Sequence, residues 1–165
     1  QAEVLLDAID YLTVATTKFA NLPAGTSAVG LPDNSYNKAS LFLQVFGRPN
    51  SQSVCECERV QSSSLAQSLH LINSSEIKSK LATANGRAAQ LASSDAAAEE
   101  KIEALYMAAF FRKPHHSEMQ TALAYLNEPQ IDADGKPVDP KKAARENFRD
   151  LIWALMNSKE FLFSH

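Results

Sequence analysis

The sequence has few of the residues that mark specialised classes of protein. Only two of its 165 residues are cysteine, five are glycine and one is tryptophan. Two cysteines are too few for the disulfide framework of a small secreted domain, so their number alone does not indicate a compartment. No apolar run approaches the roughly 20 residues that cross a bilayer, and the first residues lack the order of a signal peptide. We therefore expect no membrane span in this chain.

An excess of positive charge is also lacking. The formal net charge is −3, which gives no basic field for phosphate groups, so we do not expect nucleic acid as a partner. The apolar and charged fractions, 45% and 21%, are ordinary for a globular protein. A chain of this length can bury a core of its own. We predict that residues 1–165 form a single helical domain, and because the chain begins within an apparent helix, that it is excised from a longer multidomain protein.

Apolar residues recur at helical spacing along most of the chain. Residues 3–15 give a first amphipathic helix, and the clearest pattern lies in the segment that Pro114 ends. Asp139 followed by Pro140 predicts the start of a long last helix, with the aspartate as its cap. The most strongly patterned stripes predict six almost fully buried residues: Leu69, Leu105, Phe110, Leu151, Ile152 and Leu155.

Two stretches between these helices are predicted to be non-helical. Residues 22–37 contain prolines, glycines and small polar residues, which indicates an extended connection, with 28–31 as a candidate strand. Asp134-Gly135 between short candidate strands is typical of a tight hairpin turn. The same segment does not fit the twelve-residue calcium loop of an EF-hand, which needs an acidic residue at position 1, glycine at position 6 and glutamate at position 12. With Gly135 at position 6, position 1 is Gln130 and position 12 is Lys141. The predicted fold is mainly α, an irregular helical bundle with long loops and one small β-hairpin near 129–139.

The segment 46–73 carries most of the chemistry that the sequence offers. Its glycine, proline and polar residues predict a loop, and Ser64 followed by Gln67 is typical of a helix start before an apolar stripe. Polar and charged residues on a loop held between helices are candidates for binding. The candidate binding residues are Cys55, Glu56, Cys57, Glu58, Arg59 and His70.

Several ordered pieces of the chain resemble one known family. The pieces are FGRPNSQSVCECER, SLAQSLHLIN, ALYMAAFFRKPHHSEM and DLIWALMNSKEFLFSH, and together they resemble the planctomycete-type domain of unknown function 1553. The resemblance spans nearly the whole chain. It implies an extracytoplasmic setting, at the periplasm or cell surface, and neighbouring domains that include a cytochrome c module. It implies no known reaction.

The chain departs from that family pattern at one place. Where the family has Thr-Pro before the acidic turn of a helix, this chain has His115 and His116, followed by Ser117 and Glu118. We therefore expect His115 to be a helix N-cap rather than part of a site.

The two cysteines fit no standard metal or haem site. A closed zinc site needs four ligands. Cys55, Cys57 and His70 could supply three, but the sequence has no second pair of cysteines or histidines at the spacing typical of zinc ligands. Covalent haem attachment needs Cys-x-x-Cys-His, whereas here Glu58 follows Cys-x-Cys. A bond between the two cysteines would be strained, because alternate residues of an extended segment point apart. We predict no bound metal and no cofactor, and two thiols that are half-buried or bonded to another part of the full-length protein.

The residues of this segment favour a structural or binding role over a catalytic one. A nucleophilic cysteine needs a base, and His70 lies between two leucines, as a core-edge histidine does. Glu56 and Glu58 could be paired carboxylates, but Arg59 and Arg48 are placed to neutralise them.

Aromatic residues near the end of the chain give one more candidate. Trp153, Phe161 and Phe163 could stack on a sugar, although their position on and after the last helix favours packing.

Two functions remain open from the sequence. The leading hypothesis is a non-catalytic interaction or scaffold domain of a secreted multidomain bacterial protein, which would hold neighbouring modules or a partner. The alternative is part of an extracytoplasmic hydrolase or redox enzyme acting on polymers, with its site in the loop 55–59. A deep cleft in which Cys55, Glu58 and His70 converge would favour the enzyme, and a flat apolar patch on the first or last helix would favour the scaffold.

Overall fold

The computed structural model describes residues 2–33, 35–36, 40–46 and 74–164. Over these residues the protein is mainly helical, as the apolar periodicity predicts. None of the described helices is long and apolar enough to span a membrane. The helices are α1 Ala2–Thr13, α2 Leu41–Val45, α3 Ser75–Leu81, α4 Arg87–Ser93, α5 Ala98–Phe110, α6 His116–Leu126, α7 Pro140–Met156 and α8 Lys159–Ser164.

Helix α1 buries one face and uses its carboxylates to hold the connection that follows it. Leu6, Ile9 and Leu12 are fully buried. On the same helix, Asp7 accepts hydrogen bonds from the backbone amides of Ala28 and Val29 at 2.6 and 3.1 Å. These bonds order a segment that forms turns, so the candidate strand at 28–31 is absent from the described structure.

Helices α5 and α7 supply the centre of the core. Their fully buried side chains pack with those of α1, and α7 also packs along α4. Of the six predicted core residues, Leu105, Ile152 and Leu155 are buried as expected. Phe110 and Leu151 are only partly buried, so their prediction was wrong, and Leu69 lies outside the described residues.

The start of α7 follows the local prediction. Asp139 is the N-cap, its carboxylate accepts hydrogen bonds from the amides of Lys141 and Lys142, and Pro140 occupies the first turn. Asp139 therefore satisfies amides that have no partner within the helix, and proline costs nothing where no amide is needed.

Two arginines tie helix ends to neighbouring helices. Arg87, at the start of α4, donates to the backbone carbonyls of Leu12 and Tyr11 at the end of α1, at 2.7 and 3.0 Å. Arg145 of α7 donates to the carbonyl of Ala82 after α3 at 2.8 Å. The last carbonyls of a helix lack partners and carry partial negative charge, so each guanidinium stabilises a helix end while fixing its position.

A buried ion pair joins α1 to α3. The ammonium group of Lys80 donates to the carboxylate of Asp10 and to the hydroxyl of Thr17, the latter at 2.7 Å. The backbone amide of Thr17 donates to the same carboxylate at 2.7 Å. Both charged side chains are largely removed from solvent, so each depends on the other.

The predicted β-hairpin near 129–139 does not form. The described residues contain one isolated antiparallel bridge there, between Ile131 and Pro137, and no strand. Gly135 does turn the chain, with φ of 77°. However, Ile131 is 66% exposed, so no buried apolar face stabilises pairing beyond this bridge.

Candidate functional site

The structure does not place the candidate site residues of the sequence. Cys55, Glu56, Cys57, Glu58, Arg59 and His70 all lie outside the described residues. Their binding role, the hydrolytic or redox alternative that depends on them, and the state of the two thiols therefore stay predictions. Within the described ranges, no three His, Cys, Asp or Glu side chains are grouped so that they could hold a metal ion.

A cleft between α3, α5, α6 and α7 is the candidate functional site. Its volume is about 1100 Å³. Its walls are mostly apolar because they combine buried residues at the edge of the core with partly buried apolar residues beside them. The side chains that make its apolar wall include Leu81, Tyr106, Ala122, Leu151, Trp153 and Leu155.

The α6–α7 edge of the cleft is polar and internally paired. The Tyr125 hydroxyl donates to the carboxylate of Asp150 at 3.0 Å. Arg149 forms an ion pair with Glu146 one turn earlier, and its Nε lies 3.9 Å from Asp150. The charges on this edge thus largely compensate one another.

A second paired group lies where α5 turns into α6. Arg112 donates to both carboxylate oxygens of Glu118, at 2.8 and 2.9 Å, and to both of Glu160 in α8, at 2.8 and 2.7 Å. Glu118 also accepts from the backbone amide of His115, which is the N-cap of α6, as expected from the sequence. His115 therefore belongs to a helix start rather than to the lining of the cleft.

These contacts shift the pKa values of the acids. The hydrogen bonds from Arg112 lower the pKa of Glu118 to about 2, although partial burial opposes the shift. The same guanidinium lowers the pKa of Glu160, and the two carboxylates raise the pKa of Arg112. All three groups are therefore ionised at neutral pH, and the carboxylate of Glu118 is already neutralised where it borders the cleft.

Tyr106 has a hydroxyl group that is not paired in this way. It lines the cleft and is only 6% exposed, with its ring edge-to-face on Phe110 at 5.5 Å and under the guanidinium of Arg112 at 5.7 Å. Its hydroxyl makes no hydrogen bond to any part of the chain that the structure describes. Burial, followed by the negative charge of Glu118, raises the pKa of Tyr106, so the group stays a protonated donor. A buried donor without a partner is costly and is rarely left so.

Lys78 is the charged residue of the cleft lining that has no ion pair over the described residues. It stands on α3, is exposed, and lines the cleft opposite the paired edge. Over the described ranges its ammonium group takes part in no ion pair and no side-chain hydrogen bond. Arg149, Asp150 and Glu118, the other charged lining residues, are already paired.

Sequence reasoning considered some of these residues but assigned them differently. Leu151 was expected in the core, because a stripe shows which helix face is apolar but not what covers it. Of the three aromatic residues of the proposed sugar platform, Trp153 lines the cleft, Phe161 is fully buried and Phe163 is 74% exposed. Phe161 therefore packs, as the sequence favoured, and the three rings do not share one exposed surface.

Comparison with known proteins identifies a family but no activity. The family model described as "PSD1: Protein of unknown function (DUF1553)" matches residues 31–126, which is more than half of the chain. No curated protein and no solved structure matches the chain.

Proposed function

We propose that this chain, which belongs to the DUF1553 family of proteins of unknown function, is a non-catalytic interaction domain that holds a neighbouring module of a multidomain bacterial protein. The observation that carries the proposal is the apolar cleft between α3, α5, α6 and α7. The occupant is a helix of the neighbouring module, which lays its apolar face against Leu151, Trp153 and Leu155.

The size and walls of the cleft support a helix rather than a small molecule. A volume of about 1100 Å³ lies above the usual range of small-molecule pockets, which is roughly 300 to 1000 Å³. The cleft is bordered by four helices, and an apolar groove between helices is the usual receptor for one face of an amphipathic helix. Trp153 would be the main anchor, because partly exposed tryptophan in an apolar pocket commonly dominates binding energy.

The polar groups of the site support binding better than chemistry. Tyr125, Asp150, Arg149 and Glu118 are tied to one another or to neighbours, as on a polar rim that fixes orientation. A catalytic acid or base needs a pKa near the working pH, whereas Arg112 holds the pKa of Glu118 at about 2.

The setting of the domain is also a proposal. The sequence resemblance implies an extracytoplasmic protein, and it implies that the neighbouring module is a cytochrome c domain. Both parts rest on that resemblance alone and are separate from the argument for the cleft.

Hydrogen exchange in the full-length protein tests the interaction. Amides of α6 and α7 next to the cleft should exchange more slowly in the full-length protein than in the isolated domain. Ala154→Trp should remove this difference, because Ala154 lines the cleft, is exposed, and a large ring there would fill it. Ala104→Trp is the matched control, since Ala104 is an exposed helical alanine of α5 that does not line the cleft.

The outcomes separate the proposal from its rivals. Slower exchange that survives Ala154→Trp would show that the neighbour docks elsewhere on the chain. Equal exchange in the isolated and full-length proteins would overturn the proposal, because no module would then cover α6 and α7.

A further inference from the structure

We propose that the helix entering the cleft carries a carboxylate beside its apolar face, and that Lys78 and Tyr106 are the residues that recognise its oxygen atoms. This inference rests on the proposed function, and it adds the chemistry of the partner. Lys78 is the one charged lining residue that has no ion pair over the described residues. Tyr106 is the most buried lining residue that carries a hydroxyl, and this hydroxyl makes no hydrogen bond to the described part of the chain.

The ion pairs among the charged residues of the cleft indicate which charge a side chain of the partner would carry. Four lining residues carry charged side chains: Lys78, Glu118, Arg149 and Asp150. Glu118 pairs with Arg112, and Arg149 pairs with Glu146 and lies 3.9 Å from Asp150. Lys78 is therefore the charged lining residue without an ion pair over the described residues, and an acidic side chain of the partner would supply one.

Tyr106 adds a second, more buried requirement. Tyr106 is 6% exposed and lines the cleft, and its ring is already fixed by its contacts with Phe110 and Arg112. The donor is therefore preorganised, and an oxygen acceptor from the partner would remove the cost of leaving it unpaired. An entirely apolar helix would bury both groups without compensation, so the site disfavours it.

A matched pair of fluorescent probes tests this chemistry on the isolated domain. Anilinonaphthalene sulfonate and phenylnaphthylamine share one aromatic body and differ by the sulfonate, which stands in for the carboxylate. We expect both probes to bind and to be excluded by Ala154→Trp. We expect the sulfonate probe to bind about 10-fold more tightly, the difference that a charge-assisted hydrogen bond typically makes.

Substitutions in the cleft should remove that preference. Tyr106→Phe deletes the hydroxyl and keeps the ring, and Lys78→Gln deletes the charge and keeps most of the length. Each should reduce the ratio of the two affinities severalfold while leaving the binding of phenylnaphthylamine unchanged. The matched controls are Tyr11→Phe, an exposed tyrosine of α1 outside the cleft, and Lys142→Gln, an exposed lysine of α7 outside the cleft. Neither control should change the ratio.

Three outcomes of the probe experiment would contradict the inference. Equal affinities for the two probes, or a ratio that both cleft variants leave intact, would overturn the inference while the hydrogen-exchange test of the apolar cleft stands. Binding of both probes that persists in Ala154→Trp would place them outside the cleft and overturn the inference as well. Binding of neither probe to the isolated domain would mean that the cleft is not open to ligands, and would overturn both proposals.

Discussion

Arg112 binds Glu118 in a bidentate pair, with Nη1 donating to Oε2 at 2.8 Å and Nη2 donating to Oε1 at 2.9 Å. The two residues are six positions apart, on either side of the turn from α5 to α6. Because Arg112 also binds Glu160 in α8, one guanidinium connects the beginning of α6 to the end of the chain. Bidentate pairs of this kind fix orientation as well as adding energy. The pair therefore sets how α6 stands along the edge of the cleft.

The pair predicts a specific loss of stability in acid. Arg112 holds the pKa of Glu118 at about 2 in the folded protein, against 4.5 for the free side chain. Between these values the unfolded chain binds more protons, so the free energy of unfolding rises with pH across that window. The contribution should be complete above pH ~4.5 and should fall away toward pH ~2. Denaturant titrations at a series of acidic pH values measure it.

Removal of Arg112 provides the comparison. Arg112→Gln should flatten the pH dependence of the unfolding free energy in this window, because Glu118 would lose the hydrogen bonds that lower its pKa. Lys113→Gln is the neighbouring control, since Lys113 pairs with Glu103 at an exposed position where a salt bridge contributes little. An unchanged slope in Arg112→Gln would show that the pair does not govern the acid behaviour.

The buried pair of Asp10 and Lys80 predicts a large effect of a single substitution. Asp10→Asn removes the negative charge and leaves the ammonium group of Lys80 largely buried without a counterion. The free energy of unfolding should fall by about 3 to 5 kcal/mol. Chemical denaturation measures the loss, and Glu103→Gln at the exposed pair should cost less than about 1 kcal/mol. Similar losses at the two sites would contradict the assigned burial.

The cap of α7 predicts a smaller, local effect. Asp139→Ala should lower the free energy of unfolding by about 0.5 to 2 kcal/mol, because two amides of the first turn lose their acceptor. Thermal or chemical denaturation gives the value. Asp134→Ala in the exposed turn before Gly135 is the control, and hydrogen exchange should show α7 fraying at its start only in the Asp139 variant.

Adjacent residues of α7 should respond differently to truncation. Ile152→Ala should cost about 2 to 5 kcal/mol, since the side chain is fully buried and its removal leaves a cavity. Leu151→Ala should cost clearly less, because Leu151 lines the cleft and is only partly buried. A Leu151 variant as unstable as the Ile152 variant would place Leu151 in the core, where its sequence pattern alone would put it.

The cysteines give a prediction that depends on the sequence alone. Cys55 and Cys57 should be two free thiols in the isolated domain, with no stoichiometric metal, because the chain offers no full ligand set. Thiol titration under denaturing conditions and elemental analysis of protein purified without chelator measure both. One equivalent of zinc or copper would make Cys55, Cys57 and His70 the first site to mutate.

Local chemistry explains what could be predicted. Whether a segment becomes a helix depends on residues three and four apart, so α1, α5 and α7 follow from apolar spacing. The cap at Asp139 depends on amides two and three residues later, and the turn at Gly135 depends on a backbone angle that glycine tolerates. Ser94 and Asp95 are residues of the type that caps helices, yet α5 begins later, after Ala97. Boundaries shift in this way because several small polar residues compete to end a helix.

The cleft, in contrast, depends on tertiary structure. The sequence by itself determined that the chain would be helical and which face of each helix would be apolar. It could not determine that Ile152 faces the core while Leu151 faces a cleft, since both lie on one stripe and only the neighbouring helices decide what covers each. Nor could it pair Lys80 with Asp10, which are 70 residues apart. Contacts between distant residues form because packing brings whole helices together. The spacing of residues within one helix does not indicate which other helices will pack against it.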